Sequence, residues 1–209
     1  MHKRLLLATG NNGKVRELRA LLDGTGIEVT CLAEFPDIQP PQETGETFAE
    51  NALIKARAAA VASGLWALAD DSGLEVETLG GAPGVRSARF SGENATDTEN
   101  NALLLERLAD VPEERRGARF VSAVALCAPG GDSPVGEGDC VVREGYCGGV
   151  VLRAPRGTGG FGYDPLFYVP GEGMTYAELP AARKNEISHR ARALFLIRQD
   201  IVERLGSDR

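Results

Sequence analysis

Short apolar runs alternate with helix-period segments in the first half of the chain, and this alternation constrains the fold more than any other feature. A run at 5–8 is followed by apolar residues at helical spacing over 15–22, and then by a second run at 27–32. Strands that alternate with helices are typical of α/β proteins. The pattern therefore predicts a sheet whose early strands are connected by helices.

Two further helices are predicted where a threonine stands three residues before a glutamate, which is the sequence pattern of a capping box. Thr47 and Glu50 open the first of these helices, which Gly64 ends, and Thr96 and Glu99 open the second. A last long helix is expected to begin near 188 and to run to about 205.

The second half of the chain is hairpin-like. Apolar runs at 120–127, 140–142, 150–152 and 166–169 are separated by glycines and prolines, which predicts short strands. The whole pattern predicts an α/β fold with a mixed β-sheet flanked by helices. Because no repeat, linker or low-complexity tract divides the 209 residues, we expect a single domain over 1–209 with two lobes.

The charge balance argues against polyanionic partners. The chain has 30 acidic and 23 basic side chains and a formal net charge of −7, whereas adhesion to nucleic acid or to an anionic membrane favours a basic surface. We therefore expect neither partner, and any anion site must be a local basic cluster. The first apolar run is too short for a signal peptide, and no run is long enough to span a membrane. These features predict a soluble, cytoplasmic protein.

The cysteines carry no recognisable pattern. They form no CxxC pair, and neither histidine lies near them in the sequence; they are Cys31, Cys127, Cys140 and Cys147. We therefore expect neither a zinc site nor a disulfide framework, but free thiols in a reducing compartment.

Cations stand at two predicted helix starts, where the helix dipole disfavours them. Lys14 follows a glycine-bounded turn at 8–13, and His189 and Arg190 follow the predicted cap Ser188. Backbone N–H groups at a helix start can bind an anion, and a lysine beside them is stabilised once a polyphosphate occupies the turn. Two such starts in an acidic protein indicate a common bound anion, with a merely structural turn as the alternative for the first.

Carboxylates cluster near the middle of the chain. Asp70 and Asp71 end the apolar run WALA, and Glu43 lies in a loop free to reach a metal. Neighbouring side chains in a strand point apart, so we expect the two aspartates to divide their labour rather than chelate one ion. A solvated turn is the alternative for them. Lys55 shares a helix face with Asn51, and a solvated lysine is its alternative.

Aromatic side chains lie in a glycine-rich stretch, GTGGFGYDP, which contains Phe161, Tyr163 and Asp164. Exposed aromatics in such a loop suit stacking on a nucleobase, while packing under the loop is the alternative for Tyr163. The sequence thus combines phosphate-binding turns, carboxylates for a hard cation such as Mg²⁺ and an aromatic side chain for a base. This combination predicts a nucleotide site. Since no Ser-His-Asp or Cys-His arrangement is evident, a metal-activated water is the expected nucleophile.

Six motifs occur in order: TGNNGK, ETGxTFxENAxxKA, ADDSGLxV, LGGAPGxxSAR, GTGGFGYDPLF and KNxISHR. They resemble those of the Ham1-like inosine/xanthosine triphosphate pyrophosphatases, from about Lys3 to Leu194. The resemblance implies hydrolysis of deaminated purine nucleoside triphosphates (ITP, dITP, XTP) to the monophosphate and pyrophosphate with Mg²⁺. It also implies a homodimer and two lobes with the active site in the cleft between them. Only the stretch 128–139 carries no family motif, and we expect a variable hairpin there.

The resemblance further implies roles for individual residues. Glu43 and Asp71 would bind Mg²⁺, and Asp71 would also accept the proton of the attacking water, with Asp70 in support. The expected substrate-binding residues are Thr9, Gly10, Asn11, Asn12, Gly13, Lys14, Lys55, Ser72, Phe161, Gly162, Tyr163, Asp164, Lys184, His189 and Arg190. The residues at 9–14 would hold the triphosphate and those at 161–164 the base, with Phe161 stacking.

Two other interpretations remain open at this point. One is a Maf-like pyrophosphatase of other nucleotides, against which the TGN opening and the SHR helix start speak. The other is a non-catalytic nucleotide sensor, against which the intact carboxylates speak. Phosphate contacts and plain surface charge are the alternatives for Arg86 and Arg89, and we expect them at the surface or at an interface.

Overall fold

Seven strands form one sheet in the computed structural model, which describes residues 3–130 and 140–206. In chain order they are β1 Lys3–Leu7, β2 Ile27–Cys31, β3 Trp66–Val76, β4 Gly117–Cys127, β5 Cys140–Val151, β6 Phe167–Val169 and β7 Met174–Thr175. Their order across the sheet is β2-β1-β3-β4-β5-β6-β7. The hairpin expected at 128–139 falls largely outside the described residues.

Five α-helices accompany the sheet in this part of the chain: α1 Asn12–Leu21, α2 Phe48–Ser63, α3 Asp97–Arg107, α4 Ala181–Ile187 and α5 His189–Gly206. Strand β1 pairs in parallel with β2 and β3, whereas β5 with β6 and β6 with β7 are antiparallel. The predicted mixed sheet with flanking helices is confirmed. None of the helices among the described residues is long and apolar enough to cross a membrane.

The chain divides into two compact units. The first consists of Met1–Asp71, Ala123–Glu144 and Arg192–Arg209, and the second of Ser72–Ser122 and Gly145–Ala191. Each has its own core. In the first unit, β1, α1, β4 and α5 contribute buried aliphatic residues, among them Leu5, Leu18, Leu126 and Ile197. In the second, aromatic residues join them, among them Phe120, Phe167 and Tyr176.

Both predicted capping boxes are present. The Thr47 hydroxyl accepts a hydrogen bond from the Glu50 N–H, and the Glu50 carboxylate accepts one from the Thr47 N–H. Thr96 and Glu99 bind each other in the same reciprocal way at the start of α3. Gly64 follows α2 with φ of +67°, a left-handed conformation that favours glycine. These local signals therefore correctly predicted the starts of both helices and the end of α2.

Two element predictions were wrong, and one helix was missed. Strand β3 does not end at the paired aspartates but continues to Val76. Strand β5 is one strand of 12 residues instead of two short ones, because its glycines do not form a turn. A Cβ at Gly149 would lie 2.5 Å from the Tyr168 carbonyl oxygen, so this glycine permits close strand packing. Helix α4 was not predicted, since its seven residues carry no apolar period.

The expectation of free thiols is wrong for two of the four cysteines. Cys127 ends β4 and Cys140 begins β5, and a disulfide joins them. Cys31 and Cys147 are free and buried. The sequence separation of 13 residues has no recognisable signature. Only the pairing of β4 with β5 as neighbours in the sheet brings the two cysteines together.

Candidate active site

The turn between β1 and α1 is held by its own polar side chains. Asn11 caps α1, since its side-chain oxygen accepts hydrogen bonds from the N–H groups of Gly13 at 2.8 Å and Lys14 at 3.3 Å. The Thr9 hydroxyl accepts one from the Asn11 N–H at 3.1 Å. Gly10, Asn11 and Asn12 are exposed. The turn is thus pre-shaped, and its surface is open to an incoming ligand.

The lysine at this helix start is paired with a carboxylate. Lys14 Nζ lies 2.8 Å from each carboxylate oxygen of Asp70, whose side chain is only 9% exposed. This ion pair offsets the unfavourable position of a cation in the first turn of α1.

A second lysine binds two carboxylates at once. Lys55 Nζ lies 2.8 Å from Asp71 Oδ1 and 3.2 Å from Glu43 Oε1. Asp70 and Asp71 are neighbours on β3, yet they pair with different lysines. This is the division that the alternation of side chains along a strand predicts.

The loop that carries Glu43 is fastened to the start of α2. Asn51, which is fully buried, accepts a hydrogen bond from the Gly45 N–H at 2.8 Å. The Glu50 carboxylate accepts another from the Glu46 N–H at 2.6 Å. A Cβ at Gly45 would lie 2.7 Å from the Asn51 oxygen, so only glycine fits there. Helix α2 therefore places both Lys55 and, through this loop, Glu43.

The ionisation of this cluster reflects its burial. Burial raises the pKa of Asp71 and the neighbouring Glu43 charge adds to that effect, while Lys55 and Asn51 lower it; the net pKa of Asp71 is above its ordinary value. Burial lowers the pKa of Lys55, but the two carboxylates outweigh it, so the pKa of Lys55 is raised. Two carboxylates that share one partly buried cation form an environment suited to a divalent ion.

In the second unit, the glycine-rich loop exposes one ring and buries the other. Phe161 is 65% exposed, whereas Tyr163 is 4% exposed. The Tyr163 hydroxyl donates to the Ser87 carbonyl at 2.8 Å, and burial together with the Asp97 charge raises the pKa of Tyr163. Tyr163 therefore has the packing role that the sequence left as an alternative, and the expectation that it is exposed was wrong.

Asp164 is also buried and organises the loop. Its carboxylate accepts hydrogen bonds from the Phe161 N–H at 3.0 Å and from the Lys184 ammonium. Lys184 Nζ lies 5.3 Å from the centroid of the Phe161 ring and 5.0 Å from that of Tyr176. Lys184 on α4 is thus held beside the exposed ring by charge and by cation–π attraction.

Helix α5 begins as predicted. The Ser188 hydroxyl accepts a hydrogen bond from the Ala191 N–H at 3.1 Å. His189 is 8% exposed and stacks on Phe120 with ring centroids 4.9 Å apart. Arg190 donates to the Ser72 hydroxyl at 3.2 Å. The two residues of the first turn are thus held by an aromatic ring and by a residue of β3.

The motif LGGAPGxxSAR contacts strand β3 directly after the paired aspartates. The Ser87 hydroxyl accepts a hydrogen bond from the Leu74 N–H at 2.9 Å and donates to the Gly84 carbonyl at 2.6 Å. A Cβ at Gly73 would lie 2.3 Å from the Ser87 hydroxyl oxygen, so the glycine of ADDSG is required for this contact. Arg86 is exposed, as predicted for a surface residue.

The predicted site residues fall into two groups. The first unit holds the turn at 9–14, Glu43, Lys55, Asp70 and Asp71. The second holds Ser72, the loop at 161–164, Lys184, His189 and Arg190. Within the described ranges, no group of three or more His, Cys, Asp or Glu side chains has the arrangement of a metal site. The assigned roles in binding and catalysis stay predictions.

Sequence reasoning missed two residues that contact the aromatic loop. Asp97 and Asn101 on α3 both bind the backbone of Gly162. Polar residues four apart in a helix are typical of a solvated face, so no signal in the sequence distinguished them.

Comparison with known proteins gives a consistent family. A model of the Ham1 family matches residues 5–199. The dITP/XTP pyrophosphatase of Geobacter sulfurreducens is 53% identical over 198 residues, covering 95% of this chain and 96% of that protein. That of Desulforamulus reducens is 53% identical over 191 residues, covering 91% and 92%. The structure of a HAM1 protein from Coxiella burnetii matches with a TM-score of 0.88 at 42% identity, covering 96% of this chain and 99% of that one. The chain therefore belongs to the Ham1 family.

Proposed function

We propose that this protein hydrolyses nucleoside triphosphates with deaminated purine bases, namely dITP, XTP and ITP, to the monophosphate and pyrophosphate. Curated relatives of 50–53% identity, matched over nearly their whole length, are dITP/XTP pyrophosphatases. The observation that carries the proposal is the pair of lysine–carboxylate clusters beside a pre-shaped helix start. In the proposal, both units act together as one pyrophosphatase domain.

The triphosphate would be held by the turn at 9–14 and by the two lysines. The capped start of α1 offers backbone N–H groups and the positive end of the helix dipole, which favour phosphate. Lys14 already faces a carboxylate across 2.8 Å, so its charge is in place before an anion arrives. Preorganised cations of this kind supply most of what phosphoryl transfer requires of a protein.

Glu43 and Asp71 would hold a Mg²⁺ ion. Their carboxylates converge on one cation, the Lys55 ammonium, and Mg²⁺ is commonly bound by one or two carboxylates together with substrate phosphates. When bound, the ion neutralises phosphate charge and makes a water more acidic.

Asp71 would accept the proton from the attacking water. In the metal-free protein, burial holds the pKa of Asp71 above its ordinary value, which is the direction that suits a general base. The ammonium of Lys55 fixes the orientation of this carboxylate. As the water oxygen bonds to phosphorus, the bond between the α and β phosphates breaks and pyrophosphate leaves.

The base would stack on Phe161, the exposed ring of the glycine-rich loop. Lys184, His189 and Arg190 would contact the base or the phosphates. Discrimination between a 6-oxo and a 6-amino group is expected from hydrogen-bond donors in the site, since a buried donor left unpaired costs about 1–3 kcal/mol.

The proposal includes a homodimer in the cytoplasm. Exposed apolar side chains on α2 and α5, such as Val61 and Phe195, are of the kind that subunit interfaces cover.

A product assay tests the proposal. Purified protein with Mg²⁺ is offered ITP, XTP, dITP, GTP, ATP and dTTP in parallel, and the products are separated. We expect monophosphate and pyrophosphate from ITP, XTP and dITP, with little from ATP or GTP. Release of orthophosphate, or equal rates for all bases, would contradict the proposed reaction.

A further inference from the structure

One helix binds both polar backbone atoms of a single residue in the glycine-rich loop. The Gly162 N–H donates to Asp97 Oδ2 at 2.6 Å, and Asn101 Nδ2 donates to the Gly162 carbonyl at 2.9 Å. Asp97 and Asn101 stand four residues apart on α3, so they share one helical face. The peptide groups on either side of the Gly162 Cα are therefore bound to the same rigid element.

The helix that makes these contacts is itself well anchored. Its first turn is closed by the Thr96–Glu99 capping box. Asn100 is 3% exposed, donates to the Ala88 carbonyl at 3.1 Å and accepts from the Ser91 N–H at 2.9 Å. Helix α3 is thus a fixed platform for the loop.

The bound residue directly follows the exposed ring. Gly162 has φ of +61°, which favours glycine. The preceding residue, Phe161, has its own N–H bound to Asp164. The backbone is therefore held at Phe161 by Asp164 and at the next residue by Asp97 and Asn101. With both sides fixed, the direction in which the Phe161 side chain leaves the backbone is fixed as well.

We propose that Asp97 and Asn101 are positioning residues that hold Phe161 in place to receive the base. The affinity for the base depends on them, whereas the affinity for phosphate groups alone does not. The inference rests on the proposed function insofar as Phe161 receives a purine. The contact with Gly162 does not depend on that function.

Binding to the full-length protein separates the two affinities. Asp97→Ala and Asn101→Ala are titrated calorimetrically with IMP and, separately, with pyrophosphate. Loss of one hydrogen bond is expected to weaken IMP binding about 3- to 10-fold and to leave pyrophosphate binding unchanged. Asp97→Asn keeps an acceptor oxygen and is expected to restore IMP binding. Equal weakening of both ligands, or no effect on either, would overturn the proposal.

Glu99→Ala is the matched control. It removes a carboxylate from the same helical turn and weakens the cap of α3, but Glu99 does not bind the loop. We expect lower thermal stability and unchanged IMP affinity. An IMP loss as large as that of Asp97→Ala would mean that helix stability, not loop position, sets the affinity, and would overturn the proposal.

Hydrogen exchange at the Gly162 amide gives a readout without ligand. In Asp97→Ala labelled with ¹⁵N-glycine, this amide is expected to exchange faster than in the unmodified protein, and Glu99→Ala should leave it unchanged. Unchanged exchange in Asp97→Ala would show that the contact does not hold the loop. If the unmodified protein fails to bind IMP, the proposed function falls and the base-affinity proposal falls with it, while faster exchange still establishes the contact.

Discussion

Single residues in this protein are placed by charge as much as by packing. Lys14, disfavoured at a helix start, is paired with Asp70, and Lys55 is paired with Asp71 and Glu43. The sequence predicted that the adjacent aspartates would act separately, because strand geometry alone implies it. It did not predict which lysine each would meet, since that depends on contacts between residues far apart in the chain.

Asp71→Asn tests the proposed role of Asp71 as the general base. The substitution preserves the shape of the side chain but removes the proposed proton acceptor, and general-base catalysis contributes about 10²–10⁴-fold. We expect kcat for ITP to fall by about that factor while ITP still binds, as measured by calorimetry. Glu46→Gln, an exposed carboxylate in the Glu43 loop, should retain full activity. Retained turnover in Asp71→Asn would remove Asp71 as the base, whereas binding without turnover in the unmodified protein would favour a sensor.

Arg116→Ala tests a residue that we expect to be needed for stability and not for catalysis. Arg116 is 2% exposed and donates to the carbonyl groups of Leu108 at 2.6 Å, Val151 at 2.8 Å and Leu152 at 3.1 Å. Its removal leaves buried acceptors unpaired, so we expect the free energy of unfolding in urea to drop by about 3 kcal/mol or more. The exposed neighbour Arg115 provides the control. Arg115→Ala should change the free energy of unfolding by less than about 0.5 kcal/mol. Equal effects would show that the buried hydrogen bonds are not decisive.

At the scale of elements, features that depend on residues close together in the sequence were predicted correctly, whereas features that depend on distant residues were not. The capping boxes of α2 and α3 were readable because each depends on residues three apart. The continuation of β3 through the aspartates was not readable, because the lysines that pair with these aspartates lie on α1 and α2, far away in the sequence. The Asp97 and Asn101 contacts with Gly162 were missed for the same reason, since they span more than 60 residues of sequence.

The cap of α3 makes a testable contribution to the pH dependence of stability. Hydrogen bonds from the Thr96 backbone and side chain lower the pKa of Glu99. A carboxyl group with a lowered folded-state pKa adds stability above its unfolded pKa, and loses it as the pH falls through the folded pKa. We therefore expect Glu99→Gln to lower Tm at neutral pH, and the difference from the unmodified protein to narrow below about pH 4. A Tm difference that does not change with pH would contradict this prediction. Glu106→Gln on the same helix serves as the control, and its Tm difference from the unmodified protein should not narrow in this way.

At the scale of the whole molecule, the disulfide is the feature that composition could not predict. It closes a loop whose ends are 13 residues apart, and a loop of about 15 residues is stabilised by about 3 kcal/mol in the chain-entropy account. We expect the Tm of the unmodified protein to fall when dithiothreitol is added. Cys140→Ser should have this lower Tm without the reductant, and its Tm should not change when dithiothreitol is added. An unmodified protein whose Tm ignores the reductant would show that this bond does not stabilise the fold.

The residues proposed for hydrolysis and those proposed for stacking on the base belong to different units of the chain, and this division has a consequence for how base preference can change. The turn proposed for the triphosphate and the groups proposed for metal and hydrolysis belong to the first unit, while the ring proposed for stacking and its supports belong to the second. Along β3 the boundary falls between Asp71 and Ser72. Under the proposed roles, substitutions that alter the choice of base fall in the second unit and leave the residues of hydrolysis in the first unit unchanged. A new nucleotide preference would then not require loss of the ability to cleave.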